Sequence, residues 1–136
     1  LVKSPKIYIR DSGIVHTLLQ IEEFNSLLGN PVYGYSFEGF VIENLIHLHP
    51  KHQAFFYRTS NGNEIDLLLV RATEILAFEI KASTTPKIEK GFFSSIKDIK
   101  PTQCFIIAQV DSSYPYQEDI WVYSLEEYIA LVIEKY

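Results

Sequence analysis

Residues 63–81 read "NEIDLLLVRATEILAFEIK". Two apolar runs flank a short polar break, and each run carries carboxylates where a sheet core expects Leu, Ile or Val. Runs of this length bounded by turn residues read as strands, and the preceding "NGN" at 61–63 joins "QAFFYRTS" (53–60) to "EIDLLLV" as a hairpin. "EILAFEIKAS" (74–83) then makes a third strand, so the central stretch predicts a three-strand meander. Side chains two apart on a strand share a face. Glu79 and Lys81 therefore point together, and Asp66 shares a face with Glu64, Leu68 and Val70. If the second and third strands are antiparallel neighbours, Asp66 and Glu79 stand close on one face with Lys81 beside them. A buried carboxylate is costly unless paired, hydrogen-bonded or metal-bound, and two side by side repel unless a cation or a proton lies between them. A hard divalent ion with oxygen ligands, Mg²⁺ or Mn²⁺, suits such a pair.

Working outward, "YSFEGFVIENLIHLHP" (35–50) has Phe37, Phe40, Val41, Ile42, Leu45 and Leu48 at helical spacing, with Ser36 as the expected N-cap and Pro50 as the stop. Upstream, Lys6–Ile9 reads as extended. A short helix follows from Asp11-Ser12, with Val15, Leu18 and Leu19 on one face, and a second over "EEFNSLLGNP" (22–31). Downstream, "TTPKIEKGFFSSIKDIKP" (84–101) predicts a helix with Ile88, Phe92, Ile96 and Ile99 near one stripe, bounded by prolines. "QCFIIAQV" (103–110) is almost wholly apolar, as a strand covered on both faces would be. "DIWVYS" (119–124) predicts one more strand. "SLEEYIALVIEKY" (124–136) predicts a closing helix with Ser124 and Glu127 as a capping box. The order predicts an α/β domain with a mixed central sheet flanked by helices, spanning 1–136 as one unit.

The chain has 136 residues, 47% hydrophobic and 14% aromatic, which is enough for a packed core and excludes a disordered tail. No apolar run is long enough for a membrane-spanning helix. The single cysteine, Cys104, cannot form an intramolecular disulfide, and with no signal peptide the expected location is cytoplasmic. The chain opens on Leu1 and contains no Met, so a piece of a longer protein is expected. A net charge of −5 argues against tight duplex binding by this segment alone, since clustered Lys and Arg supply most phosphate affinity. It is compatible with a phosphodiesterase whose metal-binding carboxylates contribute to that charge.

Other candidates are weaker. In "HLHPKH" (47–52), His47 and His49 point about 200° apart on a helix, so a shared zinc ion is disfavoured and a surface helix end is expected. Ser12 has no base to activate it, and capping explains Asp11 and Ser12. Cys104 reads as a small core residue. Arg58, Lys87, Lys90 and Lys97 are candidate phosphate contacts, with a solvated face as the plainer explanation.

The order of a helical Glu38, a strand Asp66 and the strand "FEIK" with Glu79 and Lys81 resembles the PD-(D/E)xK phosphodiesterase superfamily, although Ile65 stands where its proline would. "KIYIRDSGIVHTLL", "GYSFEGFVIENL", "FFYRTSNGNEIDLLL" and "LAFEIKAS", in that order, resemble the C-terminal domain of unknown function of archaeal-type AAA ATPases, itself similar to PD-(D/E)xK folds. The resemblance implies a restriction-endonuclease-like fold and an N-terminal ATPase module in the same chain. It further implies a metal site of Glu38, Asp66 and Glu79, with Lys81 assisting catalysis together with Asp66 and Glu79. Nucleic acid is the implied substrate. No G-x-x-x-x-G-K-[ST] occurs here, so ATP would bind only through the missing module. The alternative is a non-catalytic module that binds nucleic acid or protein and regulates the ATPase.

Overall fold

The computed structural model describes residues 32–135. The strand and two short helices expected before Pro31, with Asp11, Ser12 and His16, lie outside the described residues. Nine elements follow in order: α1 (Val32–Leu48), β1 (Gln53–Arg58), β2 (Glu64–Arg71), β3 (Glu74–Lys81), α2 (Lys90–Ile99), β4 (Gln103–Ala108), β5 (Tyr114–Gln117), β6 (Ile120–Tyr123) and α3 (Leu125–Lys135).

The six strands form one mixed sheet in the order β1-β2-β3-β4-β6-β5. β1, β2 and β3 make the expected antiparallel meander; β4 pairs parallel with β3 and with β6, and β5 returns antiparallel along β6. The turn after β1 closes through Thr59, which donates its N–H to the Asn63 carbonyl at 2.8 Å, with Gly62 at φ 85 where a side chain would be strained.

Alternation along the strands divides the core into two layers. Leu67, Leu69, Phe78, Ile80 and Ile107 pack against Val41 and Leu45 of α1 and Tyr128 and Val132 of α3. Ala77, Ile106, Ala108 and Val122 face the other way, against Phe92 of α2. β4 therefore sits mid-sheet with helices on both sides, which is why its sequence is almost uniformly apolar.

Three expectations are corrected. α1 begins at Val32, four residues before Ser36, so Ser36 is not its cap. α2 begins at Lys90 rather than near Thr84. The Ile88 N–H is instead given to the Tyr116 hydroxyl at 3.1 Å, and Lys87 precedes the helix. Finally, β5 was not expected at all. At the other helix, Ser124 caps α3, its Oγ accepting from the Glu127 N–H at 3.1 Å. The Glu127 carboxylate reaches out of the box, accepting from the Ser113 N–H at 3.0 Å and tying the loop before β5 to α3.

Candidate active site

The hairpin arithmetic brings the two strand carboxylates together. Leu67 pairs with Phe78, so one further step along β2 and β3 sets Asp66 opposite Glu79. β2 is also bulged here: between the pairs Phe55–Leu68 and Tyr57–Ile65, Asp66 and Leu67 both oppose the single residue Phe56. A bulge of this kind turns a strand and re-aims its side chains. The Asp66 Oδ2 accepts the Ile80 backbone N–H at 2.8 Å, which holds that carboxylate across the strand pair. Asp66 and Glu79 are each only 6% exposed.

A cavity of about 220 Å³ opens beside this pair. Asp66, Glu79 and Lys81 line it from the sheet, and Glu38 lines it from α1. All four residues singled out by the sequence thus meet at one cavity. Glu64, Gly62 and the start of α2 complete the wall, with Gly91 so close that an added Cβ would lie 3.0 Å from the Asn63 Oδ1. Two further acids, Glu64 and Glu89, line the cavity and were not among the candidates. Glu64 was within reach of the sequence, two residues before Asp66 on its face. Glu89 carried no signal, because a loop delivers it.

Burial pushes the Glu79 carboxyl up to about 10, helped by its hydrogen bond with Asp66 and by repulsion from Asp66 and Glu64; Lys81 pulls the other way. At neutral pH a proton therefore sits between the two carboxyls. The Glu79 Oε1 is buried and has no hydrogen-bond partner among the described residues. This donor set is all oxygen, with one acceptor atom left over, and two carboxylates plus water are an ordinary complement for Mg²⁺ or Mn²⁺. No group of three or more His, Cys, Asp or Glu side chains among the described residues is arranged to hold a metal ion. The fit to a divalent cation thus rests on the Asp66–Glu79 pair, with Glu38 at the cavity wall.

The raised Glu79 value fixes the sign of a pH effect. The folded state holds this proton between the ordinary value of 4.5 and about 10, so the stability it contributes is complete below the lower limit. It drains away as pH rises through the window. Glu79→Gln mimics the protonated acid and is expected to flatten that decline. Urea-unfolding midpoints of both proteins from pH 5 to 9 should diverge, with the variant ahead at the alkaline end. Parallel curves would contradict a protonated Glu79.

Among the other candidates, Arg58 is engaged by Glu64, its Nε and Nη2 donating to Oε2 at 3.0 and 2.9 Å, a pair that sets the mouth of the hairpin. Lys87, Lys90 and Lys97 are exposed, and none lines the acidic cavity. Cys104 is inert: burial lifts its thiol to about 11. The three histidines do not all occupy a surface helix end as expected. His47 does, its side chain 72% exposed, but His49 is buried with its Nε2 2.9 Å from the Tyr128 hydroxyl. His52 is buried beside Glu74, Nε2 to Oε1 2.6 Å.

No helix among the described residues is long and apolar enough to cross a membrane. Two curated proteins, one from Mycobacterium bovis and one from Mycobacterium tuberculosis, are each 35% identical over 118 residues, and both are described as uncharacterized. The match covers 87% of this chain but 27% of each relative, so the chain spans about a quarter of their length. Residues 33–128, which hold every residue of the cavity, match the family described as "Domain of unknown function (DUF4143)". The chain belongs to that DUF4143 family.

Proposed function

We propose that this domain is a nuclease-like module that hydrolyses phosphodiester bonds of nucleic acid with Mg²⁺ or Mn²⁺. One observation carries the reading: Asp66 and Glu79 form a buried carboxyl pair beside Lys81 in a single cavity, and one pair oxygen is unsatisfied. Strongly perturbed carboxyls in a cleft are a mark of functional sites. When bound, the divalent ion supplies the positive charge that offsets charge building on a phosphate. Asp66 is pre-oriented by the Ile80 N–H, Glu79 would give its proton to solvent to serve as a second acceptor for the ion, and Lys81, on the wall of the same cavity, would offer its ammonium to a bound phosphate.

We further infer a PD-(D/E)xK-like architecture, supported by the acid-bearing meander followed by a helix and a parallel strand. An N-terminal AAA ATPase module in the same chain is consistent with relatives that are nearly four times longer than the matched part. A cytoplasmic setting accords with a lone free thiol.

A second reading is a non-catalytic regulatory module that binds nucleic acid or protein. It is favoured by the proton that already satisfies the carboxyl pair without metal, and by the net charge of −5. The deciding experiment incubates full-length protein with labelled single- and double-stranded DNA and RNA, with Mg²⁺ or Mn²⁺, with and without ATP. Divalent-dependent cleavage is expected. Absence of cleavage under every condition would leave the regulatory module as the reading.

A further inference from the structure

The far end of β2 has a different chemistry from the acidic cavity. Arg71 ends β2 five residues after Asp66, roughly 17 Å along the strand, and there a cavity of about 490 Å³ opens. His49, Lys51, His52 and Arg71 line one part of it. Leu48, Pro50, Val132 and Ile133 line the rest. Among the described residues no carboxylate lines it, in a chain whose net charge is −5. Glu74, which pairs with Arg71 across β2 and β3, is engaged by His52.

We propose that this cavity binds a small organic anion with an apolar body, its head between Lys51 and Arg71 and its tail against Val132 and Ile133. Several independent features support that class of ligand. The volume lies within the roughly 300–1,000 Å³ of small-molecule sites, and such sites combine apolar walls with a few convergent polar groups. Lys51 and Arg71 are both exposed, so their charged ends are free to meet a head group at the cavity mouth. His49 is held in place by Tyr128 and meets the His52 ring edge-on at 5.0 Å, so the imidazole wall is rigid. Ile133 remains 64% exposed, a large apolar side chain that a hydrocarbon tail would cover.

A carboxylate or a phosphate monoester head satisfies the same two cations. Calorimetric titration of full-length protein with octanoate and with octyl phosphate separates them, with acetate and inorganic phosphate as head-only probes. Saturable one-to-one binding of either amphiphile is expected, and the preference between them names the head. Lys51→Ala and Arg71→Ala should each weaken it about tenfold, the loss expected for one charge-assisted hydrogen bond. Ile133→Glu, which sets a carboxylate at the rim, should weaken it as much. These side chains are exposed, so folding is not at issue, and a melting curve for each variant verifies it. No saturable binding, equal binding of the head-only probes, or indifference to all three substitutions would overturn the proposal.

Discussion

Phe78→Ala is expected to remove about 3–5 kcal/mol of stability, the range for truncating a fully buried aromatic. Phe78 has no exposed surface and joins the sheet to both α1 and α3. Its ring stacks on Phe105 at 5.4 Å and 24°, and meets Tyr128 edge-on at 5.4 Å and 85°. Phe105 and Tyr128 also touch each other, at 5.0 Å, so the three rings close a triangle. Alanine would open a hole beneath all of them, and neighbours fixed by their own contacts cannot collapse into it. For a domain of this size the loss corresponds to a fall in Tm of roughly 10–20 °C. Phe78→Leu keeps most of the apolar volume and should cost under about 2 kcal/mol. Thermal and urea unfolding of the two variants read these values directly. A loss below about 1 kcal/mol for the alanine variant would show that Phe78 is not the hub of this layer.

The same residue explains why much of the fold was legible. "AFEIK" alternates strictly: Phe78 and Ile80 enter one core layer, while Glu79 faces the other side. Alternation put Glu79 and Lys81 on one face, and the antiparallel pairing of β2 with β3 across the short break at 72–73 sets Asp66 opposite Glu79. β4 announced itself by an apolar run that only a doubly covered strand would carry. Features set by distant packing were not legible. β5 consists of "YPYQ", mostly exposed and interrupted by Pro115, so it lacks both periodicity and a full set of donors. The end of α1 looked solvated because of its histidines, yet Tyr128, 79 residues away, packs over His49. Burial and the neighbouring His52 then lower the His49 pKa, whereas an exposed helix end would have raised it. The proton on Glu79 is hidden from sequence for the same reason. Its cause is desolvation, which depends on what the third dimension brings near.

Lys81→Ala is expected to lower divalent-dependent cleavage by about 10²–10³-fold, the usual consequence of deleting one group that stabilises developing charge. Lys81 follows Glu79 by two residues on β3, lines the acidic cavity and is only partly buried. Its ammonium pulls the Glu79 value down against burial and two neighbouring acids. Removing it raises the cost of ionising Glu79, but a protonated Glu79 absorbs that change without unfolding the domain. The melting temperature of the variant should therefore stay close to wild type. Metal binding gives the sharper discrimination. An ammonium beside a cation site opposes the cation, so Lys81→Ala should bind Mn²⁺ at least as tightly as wild type while failing to cleave. Glu79→Gln should lose both, because an amide cannot replace a carboxylate beside a divalent ion. Lys81→Arg keeps the charge and should retain part of the rate, its larger fork fitting a 220 Å³ cavity less well. If Lys81→Ala cleaves as fast as wild type, hydrolysis belongs to some other part of the protein. If it loses Mn²⁺ together with activity, Lys81 shapes the carboxyl pair and does not act on the phosphate.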